Sequence, residues 1–141
     1  NSDTYQLHIA GKGIASLNLK SDRLHVQSFV KSAHDFVHAN DICVVPLKSG
    51  SGIRLKILEA MAAGKLVVST TVGAQGIDYT AGKHLLLADT PDEFVQIFND
   101  ISQNKIDWKQ IIQNARNLIQ SKYATAALAA GQMEQYKKLI N

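Results

Sequence analysis

The sequence predicts an α/β fold in which a parallel sheet is wound with helices on both faces. Three observations carry that expectation. From Tyr5 to Thr90, short β-prone runs alternate with helical spacings, the order that builds βαβ units. Two of the runs, Ile42-Cys43-Val44-Val45 and Leu66-Val67-Val68, are apolar without alternation, as strands covered on both faces are. Between them, the Gly-rich turn Ser49-Gly50-Ser51-Gly52 leads straight into a helical pattern.

In chain order, Tyr5 to Ala10 alternates and stops at Gly11-Lys12-Gly13, a strand entering a loop. Leu24 to Phe29 reads as a second short strand, and Lys31 to Ala39 as a helix with Ser32 as its N-cap. Asp41 to Pro46 is the third strand. Residues Ile53 to Ala63 place Leu55, Leu58, Met61 and Ala62 on one expected apolar stripe, and Gly64 ends that helix as a C-cap residue does. Leu66 to Thr70 is another buried strand, followed by the loop Val72 to Gly76. After Leu85-Leu86-Leu87, the run Thr90-Pro91-Asp92-Glu93 spells a helix start: Thr90 as N-cap, Pro91 first in the helix, Glu93 closing a capping box. Pro91 to Ile140 reads as two or three helices with breaks near Asn104 and Ser121. With no repeat or linker, residues 1–141 read as a single domain, mainly helical over 91–141.

Hydrophobic residues make up 45% of the chain and charged residues 19%, a globular balance that lets one domain bury a core. The single cysteine, Cys43, lies within an apolar run; it excludes a disulfide framework or a Cys-based metal site and reads as core packing. A reducing, cytoplasmic compartment fits it. The net charge of +3 is scattered without a basic block, so nucleic acid is not an expected partner. No apolar run approaches the roughly 20 residues of a membrane span, and the start has no signal-peptide pattern. His34 and His38 stand at i, i+4, a metal-compatible spacing, but no third ligand is near in sequence and a solvated helix surface is expected. Gly11-Lys12-Gly13-Ile14-Ala15-Ser16 imitates the dinucleotide fingerprint with Ser16 in place of its third glycine, so NAD is not expected.

In parallel sheets ligands bind beyond the carboxyl ends of the strands, which directs attention to the loops after Ala10, Phe29, Val45 and Thr70. The glycines of Ser49 to Gly52 let backbone amides approach a ligand, and the helix behind them offers unpaired N–H groups at its positive end, a seat for phosphate. Arg54 and Lys56 add cations where the helix dipole disfavours them; an anionic ligand offsets that conflict. Glu59, about five residues into the helix, lies on the order of 7 to 8 Å along the axis, near the ribose of a seated nucleoside diphosphate. Its carboxylate can accept two hydroxyls. Pairing of Glu59 with Lys56 or Arg54 on a solvated face is the alternative.

The stretch Pro46 to Thr70 closely resembles one branch of the retaining glycosyltransferases of family 4, which have the two-Rossmann-domain GT-B architecture. The likeness continues through Val72 to Ile77 and His84 to Pro91, with weaker matches at Leu7 to Gly13 and Val26 to Val30. It implies a Rossmann-like parallel sheet with flanking helices, the C-terminal donor-binding half of such an enzyme. The intact protein is then expected to transfer a sugar of the hexosyl type from a nucleotide diphosphate sugar, with retention. No metal and no other cofactor is implied, the nucleotide sugar being a substrate. Of the family's two glutamates, the ribose-holding one falls on Glu59 and the other on Ser51. Diphosphate contacts fall on the backbone amides of Arg54 and Leu55, and the base contact on backbone near Val30. The expected substrate-binding set is therefore Gly50, Ser51, Gly52, Ile53, Arg54, Leu55, Glu59 and Val30.

The family's Arg and Lys that neutralise the departing diphosphate belong to a strand and helix expected before Tyr5, so the resemblance assigns no catalytic residue here. On this reading the chain, which begins at Asn1 and enters a strand at once, is a partial domain, inactive alone, without that unit and without the acceptor-binding N-terminal domain. Omitting a central strand exposes two rows of backbone groups; a rearranged sheet, a second copy of the chain or a further piece is expected to close the gap. A cytoplasmic location is implied, peripheral to the membrane for the intact protein. The rival expectation is a non-catalytic Rossmann-like interaction domain descended from such an enzyme, with Ser51 marking lost function.

Overall fold

Among the described residues the strand pairs are all parallel, and they fall into two sheets. The computed structural model describes residues 5–14 and 21–123; Ser16 and the end of the expected helical region, 124–140, lie outside the described residues. Contacts divide the chain into Asn1–Asp41 and Ile42–Asn141.

In the first unit, β1 (Leu7–Ala10) pairs with β2 (Leu24–Gln27), Leu7 opposite Leu24 and Ala10 opposite Gln27. His8 and His25 face each other in this register and their rings stack at 4.6 Å. Helix α1 (Ala33–His38) begins where Ser32 accepts the Asp35 N–H at 3.1 Å, as its sequence predicts. His34 and His38 are exposed, one turn apart, with ring centroids 4.1 Å apart and His34 Nδ1 3.3 Å from Asp35.

In the second unit, β3 (Ile42–Val45), β4 (Leu66–Ser69) and β5 (Leu86–Leu87) form one sheet in the order β3-β4-β5. Every residue of β4 is buried, because a strand hydrogen-bonded on both sides and covered by helices keeps no face for water. The matching expectation for β3 does not hold. Its four residues are only half-buried, for β3 is the edge strand of this sheet. Cys43 is accordingly half-buried too; partial desolvation raises its thiol pKa, and the nearby Lys56 charge opposes the rise. On the sheet, Leu66, Val68, Leu86, Ala88 and Ile111 form a core joined by Phe94, Ile97 and Trp108.

Helix α2 (Leu55–Ala62) starts two residues later than its apolar spacing predicts and buries a stripe that keeps only Met61 of the expected set. Ile57, Ala60 and Met61 are fully buried, whereas Leu55 is 66% exposed, Ala62 is exposed and Leu58 is half-buried. Apolar residues run almost all round this helix, so spacing permits more than one stripe and the packing selects among them. The helix closes as a Schellman turn: the Gly64 N–H donates to Met61 O at 3.0 Å and the Lys65 N–H to Ala60 O at 2.9 Å. Helix α3 (Pro91–Ser102) begins with the complete capping box on Thr90 and Glu93, and Asn104 at φ 55° breaks the chain after it. Helix α4 (Trp108–Leu118), capped by Asp107, runs into a π turn, Ile119–Tyr123, that contains Ser121.

The register that sets Val45 beside Ser69 is what positions the site. It makes the loops after β3 and β4 leave the same edge of the sheet as neighbours.

Candidate functional site

The loop from Pro46 to Arg54 is shaped by two glycines. Gly50 and Gly52 adopt φ of +135° and +81°, values that side chains with a Cβ rarely take. Behind them α2 opens without a side-chain cap and without an acidic residue in its first turn. The other described α-helices are each capped by an oxygen, of Ser32, Thr90 or Asp107. The first amides of α2 thus keep no side-chain acceptor, and the positive end of the helix faces the loop.

Arg54 occupies the N-cap position rather than the first turn, with φ −86° and ψ 91°. Its side chain folds back along the loop, Nη1 donating to the Ser51 carbonyl at 2.8 Å. Its Nε is buried and has no hydrogen-bond acceptor. Glu59 is the fifth residue of α2, about 6 Å along the axis from Leu55. Its carboxylate accepts from Lys56 Nζ at 3.0 Å, the alternative that the sequence left open, with side chains 57% and 61% exposed. An ion pair this exposed is worth about 0 to 1 kcal/mol, so it does not tie the carboxylate up.

The root of the loop is held by a polar latch that sequence reasoning missed. Ser69 and Thr70 are 0% and 5% exposed, the buried polar side chains among the described residues. Thr70 Oγ1 donates to Leu47 O at 2.6 Å and accepts the Gly73 N–H at 2.9 Å. Ser69 Oγ lies 3.0 Å from Thr70 O and 3.3 Å from Val45 O. A Cβ on Gly73 would stand 2.5 Å from Ser69 Oγ and 2.9 Å from Val45 O, so only glycine lets the second loop pass this close. Farther along, a Cβ on Gly76 would come within 3.0 Å of Ile53 Cγ1, which places the second loop directly against the first. The signal for this latch is the polar run Ser69-Thr70-Thr71 ending an otherwise apolar strand.

The second loop is anchored in turn. Asp89 accepts the Thr71 N–H and hydroxyl, each at 2.7 Å, and these bonds hold its carboxyl below the usual carboxylate range. Glu93 Oε2 accepts the N–H groups of Asp89 at 2.6 Å and Thr90 at 3.0 Å. The cap of α3 and the loop beneath Ile53 are therefore one hydrogen-bonded chain.

Residues 1–104 match the family model of the Glycosyl transferases group 1. The chain belongs to this family. It is 33% identical over 109 residues to a lipopolysaccharide 1,2-N-acetylglucosaminetransferase of Salmonella typhimurium strain LT2, covering 74% of the chain and 28% of that protein. It is 34% identical over 84 residues to an uncharacterized 44.6 kDa protein in the cps region of Klebsiella pneumoniae, covering 60% of the chain and 22% of that protein. The chain thus spans between 22% and 28% of these relatives' lengths.

Among solved structures, Anabaena HepE in complex with UDP superposes with a TM-score of 0.76 at 17% identity, over 95% of this chain and 41% of that one. The C-terminal domain of a group 1 family glycosyl transferase from Francisella tularensis gives 0.60 at 24% identity, over 73% and 55%. These likenesses are of fold: the Rossmann-like parallel sheet with flanking helices of GT-B C-terminal domains.

In this member of the group 1 family, the structure sets Gly50, Ser51, Gly52, Ile53, Arg54, Leu55 and Glu59 along one loop and the helix it feeds. Val30 belongs to the first unit, half-buried in the loop after β2. An open cleft of about 450 Å³, lined in part by Lys83, Leu86, Lys105 and Gln110, shares no residue with that loop. No described helix is long and apolar enough to cross a membrane.

Proposed function

We propose that this chain is the donor-binding part of a retaining family 4 glycosyltransferase whose donor is a nucleoside diphosphate sugar. The observation that carries the reading is the uncapped start of α2 behind Gly50-Ser51-Gly52, with a carboxylate, Glu59, one turn further on. The diphosphate sits against the amides of Arg54 and Leu55, where the helix end and nearby cations favour negative charge. Glu59 turns from Lys56 to the two ribose hydroxyls, and the base lies against backbone near Val30. HepE, crystallised with UDP and with UDP-glucose, and the N-acetylglucosaminetransferase relative support a nucleotide-sugar donor.

Transfer builds negative charge on the departing diphosphate, and preorganised amides and cations aimed at that charge lower the barrier. The donor is a substrate, and the reaction as proposed uses no metal or other cofactor. The acceptor-binding domain and the catalytic Arg and Lys belong to a longer protein; this chain alone binds donor weakly and transfers nothing. A strand from that protein, or from a second copy, completes the sheet beside β3. The whole enzyme acts on hexosyl donors in the cytoplasm, peripheral to the membrane.

Glu59→Ala tests the reading by calorimetry against uridine, guanosine and adenosine diphosphates. Affinity for whichever nucleotide binds falls by about 1.5 to 3 kcal/mol, the range of charged hydrogen bonds. Unchanged affinity sinks the ribose assignment. Ser51, standing where the family's other glutamate falls, favours a second reading as a non-catalytic interaction domain. Failure of all three nucleotides to raise the melting temperature of the whole protein would decide for it.

A further inference from the structure

Among the described residues, Arg54 is a cation without an anion. Its one hydrogen bond goes to a neutral carbonyl, that of Ser51, though a guanidinium carries five N–H donors in a fork suited to phosphate. Among the described residues no carboxylate pairs with it, whereas the neighbouring Lys56 is paired with Glu59. Its Nε–H is buried with no acceptor, which leaves a desolvated donor unsatisfied. The charge also stands at the positive end of α2, with no acidic residue in the first turn to offset it. Each of these costs disappears when an oxyanion arrives.

The loop is cut to fit this side chain. A Cβ on Gly50 would lie 2.0 Å from Arg54 Nη2, so the guanidinium occupies the space that the glycine leaves. Gly50 and Ser51 precede the helix in the chain, and Glu59 is its fifth residue. Along the chain the order is therefore the Gly50 and Ser51 contacts of the guanidinium, the first amides of α2, and then Glu59.

We propose that the Arg54 guanidinium grips the donor phosphate farthest from the ribose, leaving the Ser51 carbonyl for two phosphate oxygens when the nucleoside diphosphate binds. This inference rests on the donor-site reading above and adds a side-chain contact to one otherwise made by backbone. Ser51 then needs no carboxylate, since the phosphate is held by charge from three residues away.

The test is calorimetry on the whole protein with the nucleoside diphosphate that binds best and with its monophosphate, for wild type, Arg54→Met and Arg54→Lys. Circular dichroism and melting temperature check the fold of each. Arg54→Met is expected to weaken the diphosphate roughly tenfold to hundredfold, the fold-change of a charged hydrogen bond, and to leave the monophosphate within about twofold. Arg54→Lys, which keeps charge and loses the fork, is expected to fall between. An unchanged diphosphate affinity in Arg54→Met, or an equal loss for both nucleotides, overturns the inference and leaves the donor site standing. A wild type that binds no nucleoside diphosphate overturns both.

Discussion

Helices α3 and α2 begin in opposite ways. The start of α3 is closed: Thr90 caps the Glu93 N–H, Glu93 returns to the Thr90 and Asp89 N–H groups, and Pro91 removes one donor. Two acidic residues, Asp92 and Glu93, answer its dipole. The start of α2 has none of these, and a cation stands where the capping oxygen belongs. Local stability alone selects for the first arrangement, since a capping side chain is worth about 1 kcal/mol. On the proposed reading, the open start of α2, behind a glycine loop that the segment from Ser69 to Gly76 packs against, is left for the phosphates of the donor. The contrast teaches that a missing local rule is more informative when an intact copy of the same rule stands in the same unit.

Making α2 resemble α3 breaks that comparison most directly. Arg54 already has the extended backbone of an N-cap residue, so Arg54→Asp supplies a cap without strain. It is expected to stabilise the protein by up to about 1 kcal/mol, and to lower nucleoside diphosphate affinity more than tenfold by putting a carboxylate in the phosphate seat. Thermal melts and calorimetry on one preparation read both effects. A variant that keeps its affinity would mean that the open end of α2 has no ligand to receive.

The reverse operation is smaller in effect. Thr90→Ala removes the α3 cap and costs about 1 kcal/mol, a fall of a few degrees in melting temperature for a domain of this size. Nucleotide affinity is expected to stay within twofold of wild type. A comparable loss of affinity would show that the chain from Glu93 through Asp89 to Thr71 carries strain into the binding loop.

How far these features are legible in sequence depends on how local their causes are. The Thr90 capping box and the Gly64 turn are written within a few consecutive residues, and both appear where the sequence puts them. Gly50 and Gly52 announce the loop in the same way. The buried stripe of α2 is not local: Leu55, Ile57, Leu58, Ala60, Met61 and Ala62 girdle the helix, and tertiary packing chooses Ile57, Ala60 and Met61. An apolar run likewise does not count its neighbours, and β3, read as fully covered, is an edge. The Thr70 bond to Leu47 spans 23 residues; only the pairing of β3 with β4 makes it foreseeable. Arg54 reads from sequence as a first-turn cation, and its return to Gly50 emerges only with the loop's conformation.

The smallest expected effect sharpens the comparison through pH. The Thr71 N–H and hydroxyl both favour ionised Asp89, so its folded pKa lies below the unfolded value of about 3.9. A depressed carboxyl contributes stability that is present above the unfolded value and is lost as pH falls through the folded one. Asp89 is exposed, so the effect is small. Asp89→Asn should therefore melt slightly below wild type at pH 7, and the gap should close as the pH drops below about 4. The start of α2 has no capping carboxylate for the same titration to remove. A gap that persists unchanged to pH 2 would assign the Thr71–Asp89 bonds to neutral hydrogen bonding, with no contribution from the charge of Asp89.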